Sequence, residues 1–209
     1  MAVEGRILVF AKAPIPGQVK TRLIPVLGKE GAAVLFERLV HHTLSVATTA
    51  LRTGVGGVEL HCAPDITHPF FTACAQGHGV QLRKQVQGDL GDRLYAAATE
   101  GLKSADRVVI IGCDCPVLKV KDIEDAWRAL DSGVGAVLGP AEDGGYYLVG
   151  LRRCDSNLFK GINWGSEKVL EQTRDLLRKF NWTWQELEMN WDLDTSKDYD
   201  RFVAERITL

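Results

Sequence analysis

Apolar and polar positions along this chain follow a rhythm that switches repeatedly between strand and helix periods. Ile7-Leu8-Val9-Phe10 is an unbroken apolar run, too short for a membrane span, of the kind found in a strand covered on both faces. The run leads through Ala11-Lys12-Ala13 into Pro14, Pro16 and Gly17, which forbid helix and predict a stiff, irregular loop. Beyond Gly28 and Lys29, the residues Phe36, Val40, Leu44, Ala47 and Leu51 recur at steps of four and three. They predict a helix, ended by Gly54, Gly56 and Gly57. Residues 58–62 read as a second strand, 64–75 as a short helix and 80–82 as a weaker third strand. Gly88 and Asp89 open a helix with Leu90, Leu94, Ala98 and Leu102 on one face. Val108-Val109-Ile110-Ile111 is β-branched and continuously apolar, as at the centre of a parallel sheet, and runs into Gly112-Cys113-Asp114-Cys115-Pro116.

The second half repeats the rhythm. A helix buries Ile123, Ala126, Trp127 and Leu130, and strands at 136–138 and 146–151 are joined by Gly139-Pro140-Ala141-Glu142-Asp143-Gly144-Gly145. Ser166 can cap a helix carrying Leu170, Thr173, Leu177 and Phe180. Residues 182–184 alternate like an edge strand, and Thr195 starts a last helix through Tyr199, Phe202 and Val203. This alternation predicts one open, mostly parallel, three-layer α/β domain over residues 1–209. Ligands of such sheets bind beyond the carboxyl ends of the strands, where the proline-stiffened loop and Asp114 both fall.

Composition narrows the picture. The 209 residues suit a single domain with a substantial core, and a formal charge of −2 without basic blocks argues against a nucleic-acid surface. No apolar run is long enough for a bilayer, and residues 1–6 lack the features of a signal peptide, so a soluble cytoplasmic protein is expected. Cys62, Cys74, Cys113, Cys115 and Cys154 are odd in number and scattered, unlike a disulfide framework. Cys113 and Cys115 have no second Cys/His pair to complete a zinc site and read as small residues packed at a strand end. His41 and His42 lie on a helix, and His61, His68 and His78 are isolated; none is assigned as ligand or base.

Candidate chemistry then clusters in four places. Lys12, Lys20 and Arg22 follow the first strand within one loop's reach, and with Gly17 they suit polyphosphate; the alternative is a stiff loop with solvated cations. The spacing is neither that of a P-loop nor that of a dinucleotide fingerprint. Asp114 at a strand end, with Asp192 or Asp194 of Trp191-Asp192-Leu193-Asp194-Thr195, could hold Mg²⁺ or Mn²⁺ beside phosphate oxygens, or simply cap turns and helix. Glu142-Asp143-Gly144-Gly145-Tyr146 offers acids, close backbone approach and an aromatic face, or only a hairpin turn. Gln85, Gln87, Gly88, Asp89, Gly91, Asp92 and Arg93 could read a base or ribose, or only cap the helix.

These motifs together resemble a bacterial family formerly described as a domain of unknown function and called glycosyltransferase-like or selenodomain-associated transferase. The carriers are residues 10–23, 88–94, 112–116, 139–147 and 192–195, and the resemblance covers nearly the whole chain. It implies the nucleotide-diphospho-sugar transferase (GT-A) fold, with kinship to small nucleotidyltransferases such as the guanylyltransferase for phospholactate. By resemblance, Ala11, Lys12, Gly17, Lys20, Arg22, Gln85, Gly88 and Asp89 are the expected nucleotide-binding residues. Asp114 and Asp194 are the expected ligands of Mg²⁺ or Mn²⁺. Asp114, Asp143 and Lys20 are the expected catalytic groups, and Glu142, Asp143, Gly144, Gly145 and Tyr146 the expected acceptor site. Family members usually follow the late Asp-Thr with Pro-Glu-Asp-Leu, whereas this chain has Ser196-Lys197-Asp198-Tyr199. The implied activity is metal-dependent glycosyl transfer from a nucleotide-sugar to a small acceptor. The alternative is transfer of a nucleotide from a triphosphate to a phosphorylated small molecule, and a third reading is a nucleotide-binding protein without catalysis. The partners expected are small molecules, with no nucleic acid and no membrane span; the oligomeric state is not legible.

Overall fold

The computed structural model of the protein describes residues 5–51 and 56–209. The strands among them are β1 (Gly5–Lys12), β2 (Gly57–Ala63), β3 (Gln81–Lys84), β4 (Arg107–Gly112), β5 (Ala136–Pro140), β6 (Tyr146–Leu151) and β7 (Trp184–Glu186). The helices are α1 (Ile24–Ala50), α2 (Pro69–His78), α3 (Leu90–Gly101), α4 (Val120–Asp131), α5 (Val169–Lys179) and α6 (Ser196–Ala204). The strands form one sheet in the order β3-β2-β1-β4-β6-β5-β7. β6 runs antiparallel to both β4 and β5, and the remaining pairings are parallel, so the sheet is mostly parallel as expected.

Alternation along β1 explains the three layers. Ile7, Val9 and Ala11 point into a core shared with α1, α2 and α4, through Phe36, Val40, Phe71, Ile123 and Leu130. Leu8 and Phe10 point the other way, against Leu94 and Ala98 of α3 and Leu170 and Leu177 of α5. A third cluster joins the outer face of α1 to Trp191, Leu193 and Phe202 of α6. Among the described residues, no helix is long and apolar enough to cross a membrane.

Several boundaries differ from the sequence reading. α1 begins at Ile24, before Gly28, and is broken at Gly28, whose φ of 71° and ψ of 171° are not helical. Gly54, expected among the residues ending it, lies outside the described residues. α2 starts at Pro69 rather than near residue 64, capped by the His68 ring, which accepts the Phe70 N–H. The edge strand lies at 184–186, because Trp182 is buried against α5. Leu90 and Val203 stand exposed, outside the stripes predicted for their helices. Trp164 and Trp184 pack on the second core cluster, Trp182 lies within it and Trp191 within the third, so these rings are core. His61 and His78 are not isolated: one ring nitrogen of His61 lies 3.2 Å from Glu59, and one of His78 lies 2.9 Å from His41.

Candidate functional site

The loop after β1 is built to turn Lys20 inward. Ala13 N–H donates to Ala63 O, Gln18 N–H to Ile15 O and Leu23 N–H to Lys20 O, which folds residues 13–23 back on the sheet. Val19 and Leu23 are buried anchors on either side of Lys20, and Lys20 itself adopts a left-handed backbone with φ 45°. Its side chain is 3% exposed and reaches across to Asp114, two residues beyond β4, forming an ion pair and hydrogen bond. Its ammonium also lies 3.9 Å from Asp194 Oδ1.

Asp192 and Asp194 are brought to the same place by the alternation of Trp191-Asp192-Leu193-Asp194. Trp191 and Leu193 enter the cluster with α1 and α6, which turns the two carboxylates away from that core. Leu193 N–H donates to the Asp114 carbonyl at 2.8 Å, stitching this segment to the end of β4. Asp194 is taken up by Arg22, whose Nη1 donates to Oδ2 at 2.8 Å. α6 then starts through a capping box, with Thr195 N–H donating to Asp198 at 2.7 Å and Asp198 N–H to Thr195 Oγ1. Asp198 closes that box, so the departure at Ser196 and Lys197 leaves the helix start intact.

The electrostatics follow from this crowding. Burial alone would lower the pKa of Lys20, but Asp114, with lesser help from Asp194 and Asp192, raises it. Asp192 is pushed up to about 7 by burial first, then by the charges of Asp114 and Asp143, with Lys20 pulling the other way. Its Oδ1 is buried and has no hydrogen-bond partner. Asp114 and Asp194 stay about half exposed at their side chains. Among the described residues, no three His, Cys, Asp or Glu side chains converge into a metal-holding cluster. A site using one or two carboxylates completed by phosphate oxygens asks for less, and the orphaned Asp192 Oδ1 beside Asp114 fits it.

A cavity of about 230 Å³ opens beside the loop, lined by Lys12, Ile15, Gln18, Pro64, Gln85, Gln87 and Arg93 among others. Gln85 is held rigidly: its amide nitrogen donates to His61 O at 2.7 Å and to Ala11 O at 3.4 Å, leaving its oxygen to face Arg93. Gln18 is a polar lining residue that the sequence did not single out as a binding group, whereas Arg93 belongs to the polar cluster expected to read a base or ribose, or to cap the helix. Gly88 and Asp89 are accounted for by the start of α3, where Asp92 N–H donates to Asp89 and Asp89 N–H to Asp92. A side chain on Gly88 would collide with Asp92. Gly17, at φ 81°, shapes the loop outside the cavity lining.

The loop between β5 and β6 lies near this site but is arranged differently from expectation. Glu142 makes a two-oxygen pair with Arg201 of α6, at 3.0 and 3.1 Å, and the Arg201 guanidinium stacks over Trp191. Asp143 Oδ1 accepts the Gly145 N–H at 2.8 Å, while its charge reaches Asp192. Gly144 has φ 86° and runs against the Glu167 backbone. The Tyr146 hydroxyl is buried and its ring meets Trp164 edge-on, so it offers no open face here. Cys113 and Cys115 are buried free thiols whose pKa values burial raises, in keeping with packing at a strand end. A larger cavity, about 700 Å³, lies at the opposite sheet edge, near Tyr95, Arg152 and Arg153, away from the carboxylates.

Comparison with known proteins agrees with this architecture. The family model described as "Uncharacterized protein conserved in bacteria (DUF2064)" matches residues 44–166, more than half of the chain and inclusive of Asp114 and the β5–β6 loop. A crystal structure of a presumed nucleotide-diphospho-sugar transferase from Desulfovibrio desulfuricans G20 is 32% identical, with a TM-score of 0.84 over 95% of this chain and 85% of that one. The 4-diphosphocytidyl-2C-methyl-D-erythritol synthase of Anaerococcus prevotii DSM 20548 matches at 13% identity and a TM-score of 0.59, over 99% of each chain. A glucosyl-3-phosphoglycerate synthase of Mycobacterium tuberculosis, crystallised with Mn²⁺, UDP and glucosyl-3-phosphoglycerate, matches at 9% identity and 0.58, over 98% of this chain and 77% of that one. No curated protein matches the chain by sequence. The fold is that of the nucleotide-diphospho-sugar transferases.

Proposed function

The chain belongs to the DUF2064 family of bacterial proteins, and from that footing we propose that it is a transferase using a nucleotide-diphospho-sugar donor, a small-molecule acceptor and Mg²⁺ or Mn²⁺. One observation carries the reading: Lys20 is buried among Asp114, Asp192 and Asp194, next to a cleft lined by Lys12, Gln18, Gln85 and Arg93. Cations and carboxylates gathered at the carboxyl edge of a parallel sheet suit a diphosphate with its counter-ion. Asp114 and Asp192 would hold the ion; Asp194, the expected second ligand, is instead engaged by Arg22. When bound, the ion supplies charge neutralisation for the departing diphosphate.

The chain's own groups account for the rest. Lys12 and Gln18 bind phosphate oxygens in the cleft, and the fixed oxygen of Gln85 accepts from a base or ribose donor against the apolar faces of Ile15 and Pro64. Asp143, on the loop beside Asp192, is the group able to take a proton from an acceptor hydroxyl. Glu142 serves to hold that loop to α6.

A second reading, nucleotidyl transfer from a nucleoside triphosphate to a phosphorylated acceptor, is favoured by one feature. Asp143 Oδ1 already accepts the Gly145 N–H and the neighbouring Glu142 is paired with Arg201, and a phosphate nucleophile needs no base. A thermal-shift panel of nucleoside diphosphates, nucleotide-sugars and triphosphates, with and without Mg²⁺ or Mn²⁺, separates the two, because native-state binding raises the melting temperature. The glycosyl reading expects the largest metal-dependent shift with a diphosphate or its sugar, lost in Asp114→Asn. A shift confined to one triphosphate would replace it with the second reading, and no metal-dependent shift at all would overturn both.

A further inference from the structure

We infer that Lys20 is the resident counter-ion of the carboxylate site, standing where a divalent cation would otherwise sit and freed toward the cleft when one enters. Three observations lead there. The Lys20 ammonium is bonded to Asp114 and 3.9 Å from Asp194, with its side chain 3% exposed, so a cation is already installed between carboxylates from the two chain segments that meet at the site. One lysine under-neutralises this group. Asp192 Oδ1 remains buried without a partner beside it, and among the nearby cations Arg22 is committed to the outer oxygen of Asp194. Gln18 and Val19, the two residues before Lys20, line the cleft, so the backbone of Lys20 follows directly on the cleft wall while its ammonium is turned to Asp114. A change in the lysine's four side-chain torsions would carry the ammonium to the cleft while Val19 and Leu23 stay buried.

The consequence has a definite sign. A divalent ion and an ammonium compete for the same oxygens, and their like charges repel at this separation. Removing the ammonium therefore tightens metal binding in the absence of nucleotide. A lysine that merely organised the carboxylates would give the opposite result, because its loss would spread them apart. The inference concerns the same site as the transferase reading and rests on it for the identity of the cleft's phosphate ligand.

The test is Mn²⁺ binding to the native chain and to Lys20→Met without nucleotide, followed by the resonance of free Mn²⁺. Lys20→Met is expected to bind about tenfold more tightly, within the usual range of coupling between two sites, and Asp114→Asn in the Lys20→Met background is expected to abolish the gain. Unchanged or weaker binding in Lys20→Met overturns the inference. Lysine acetylation read by mass spectrometry keeps the question answerable on the native protein, should the variant not fold. Lys20 is expected to be protected without divalent ions and to become reactive on adding Mn²⁺; continued protection with Mn²⁺ bound overturns the inference. Nucleotide binding is scored separately. A gain in Mn²⁺ affinity without any nucleotide binding would leave the counter-ion role standing and remove the transferase reading, whereas metal-dependent nucleotide binding without the gain would do the reverse.

Discussion

Asp192→Asn should stabilise this protein at neutral to alkaline pH in the absence of divalent metal. The Asp192 carboxyl is buried, faces the charges of Asp114, Asp143 and Asp194, and titrates near 7 against an ordinary value of 3.8. A raised acid holds its proton longer in the folded than in the unfolded chain. Its contribution to stability is therefore complete below pH 3.8 and is lost as pH rises through about 7. At about 1.4 kcal/mol per pH unit, that interval is worth about 4 kcal/mol by pH 8. The isosteric amide cannot ionise, which removes this cost. It remains a buried polar group lacking a partner, at about 1–3 kcal/mol. The net gain is then about 1–3 kcal/mol, or a rise of about 2–12 °C in melting temperature for a chain of this size. The assay is calorimetry of both proteins in EDTA from pH 4 to 9. The native melting temperature should fall more steeply than the variant's between about pH 4 and about pH 7, and the two curves should run parallel above that. Equal slopes, or a variant less stable at pH 8, would refute the burial and crowding argued for this carboxylate. The same substitution should weaken Mn²⁺ binding, which is the usual opposition between stability and a strained functional site.

Two further substitutions test other parts of the framework. Glu59 is held down to about 2 by the hydrogen bond with His61 first and by Arg83, so its contribution is present above pH 4.5 and lost as pH falls toward 2. Glu59→Gln should remove about 3 kcal/mol of that acid-limb dependence and flatten unfolding curves between pH 4.5 and 2; an unaltered acid limb would show that the cluster on β2 and β3 is not coupled to folding. Gly144→Ala combines a φ of 86° with collision against the Glu167 backbone, and should cost about 2–3 kcal/mol, lowering the melting temperature by about 4–12 °C. A neutral result would mean that the β5–β6 loop can relax away from residue 167.

Much of the fold was readable because its strongest signals are local. β1 and β4 carry continuous apolar runs, as strands covered on both faces do, and α4 and the part of α1 beyond Gly28 show the helical period. The weaker elements slipped by two to five residues for equally local reasons. His68 caps α2, which therefore starts at Pro69 instead of near residue 64, and Trp182 is drawn into the core instead of continuing a strand. Sequence also located the ends that matter, since a proline-stiffened loop after β1 and an aspartate after β4 must meet at one sheet edge.

What the sequence by itself determined, then, was the layered sheet, the edge that bears chemistry and the residue types gathered there, because periodicity and turn residues act over short separations. Tertiary structure alone decided how those side chains are engaged. Lys20 and Asp114 are 94 residues apart, Arg22 and Asp194 are 172 apart, and Glu142 and Arg201 are 59 apart. No local pattern says which carboxylate meets which cation, that Asp192 Oδ1 is left buried without a partner, or that the Tyr146 hydroxyl is buried. Those outcomes depend on where each segment packs, and an ionic pair between distant residues forms only once packing has brought its members together.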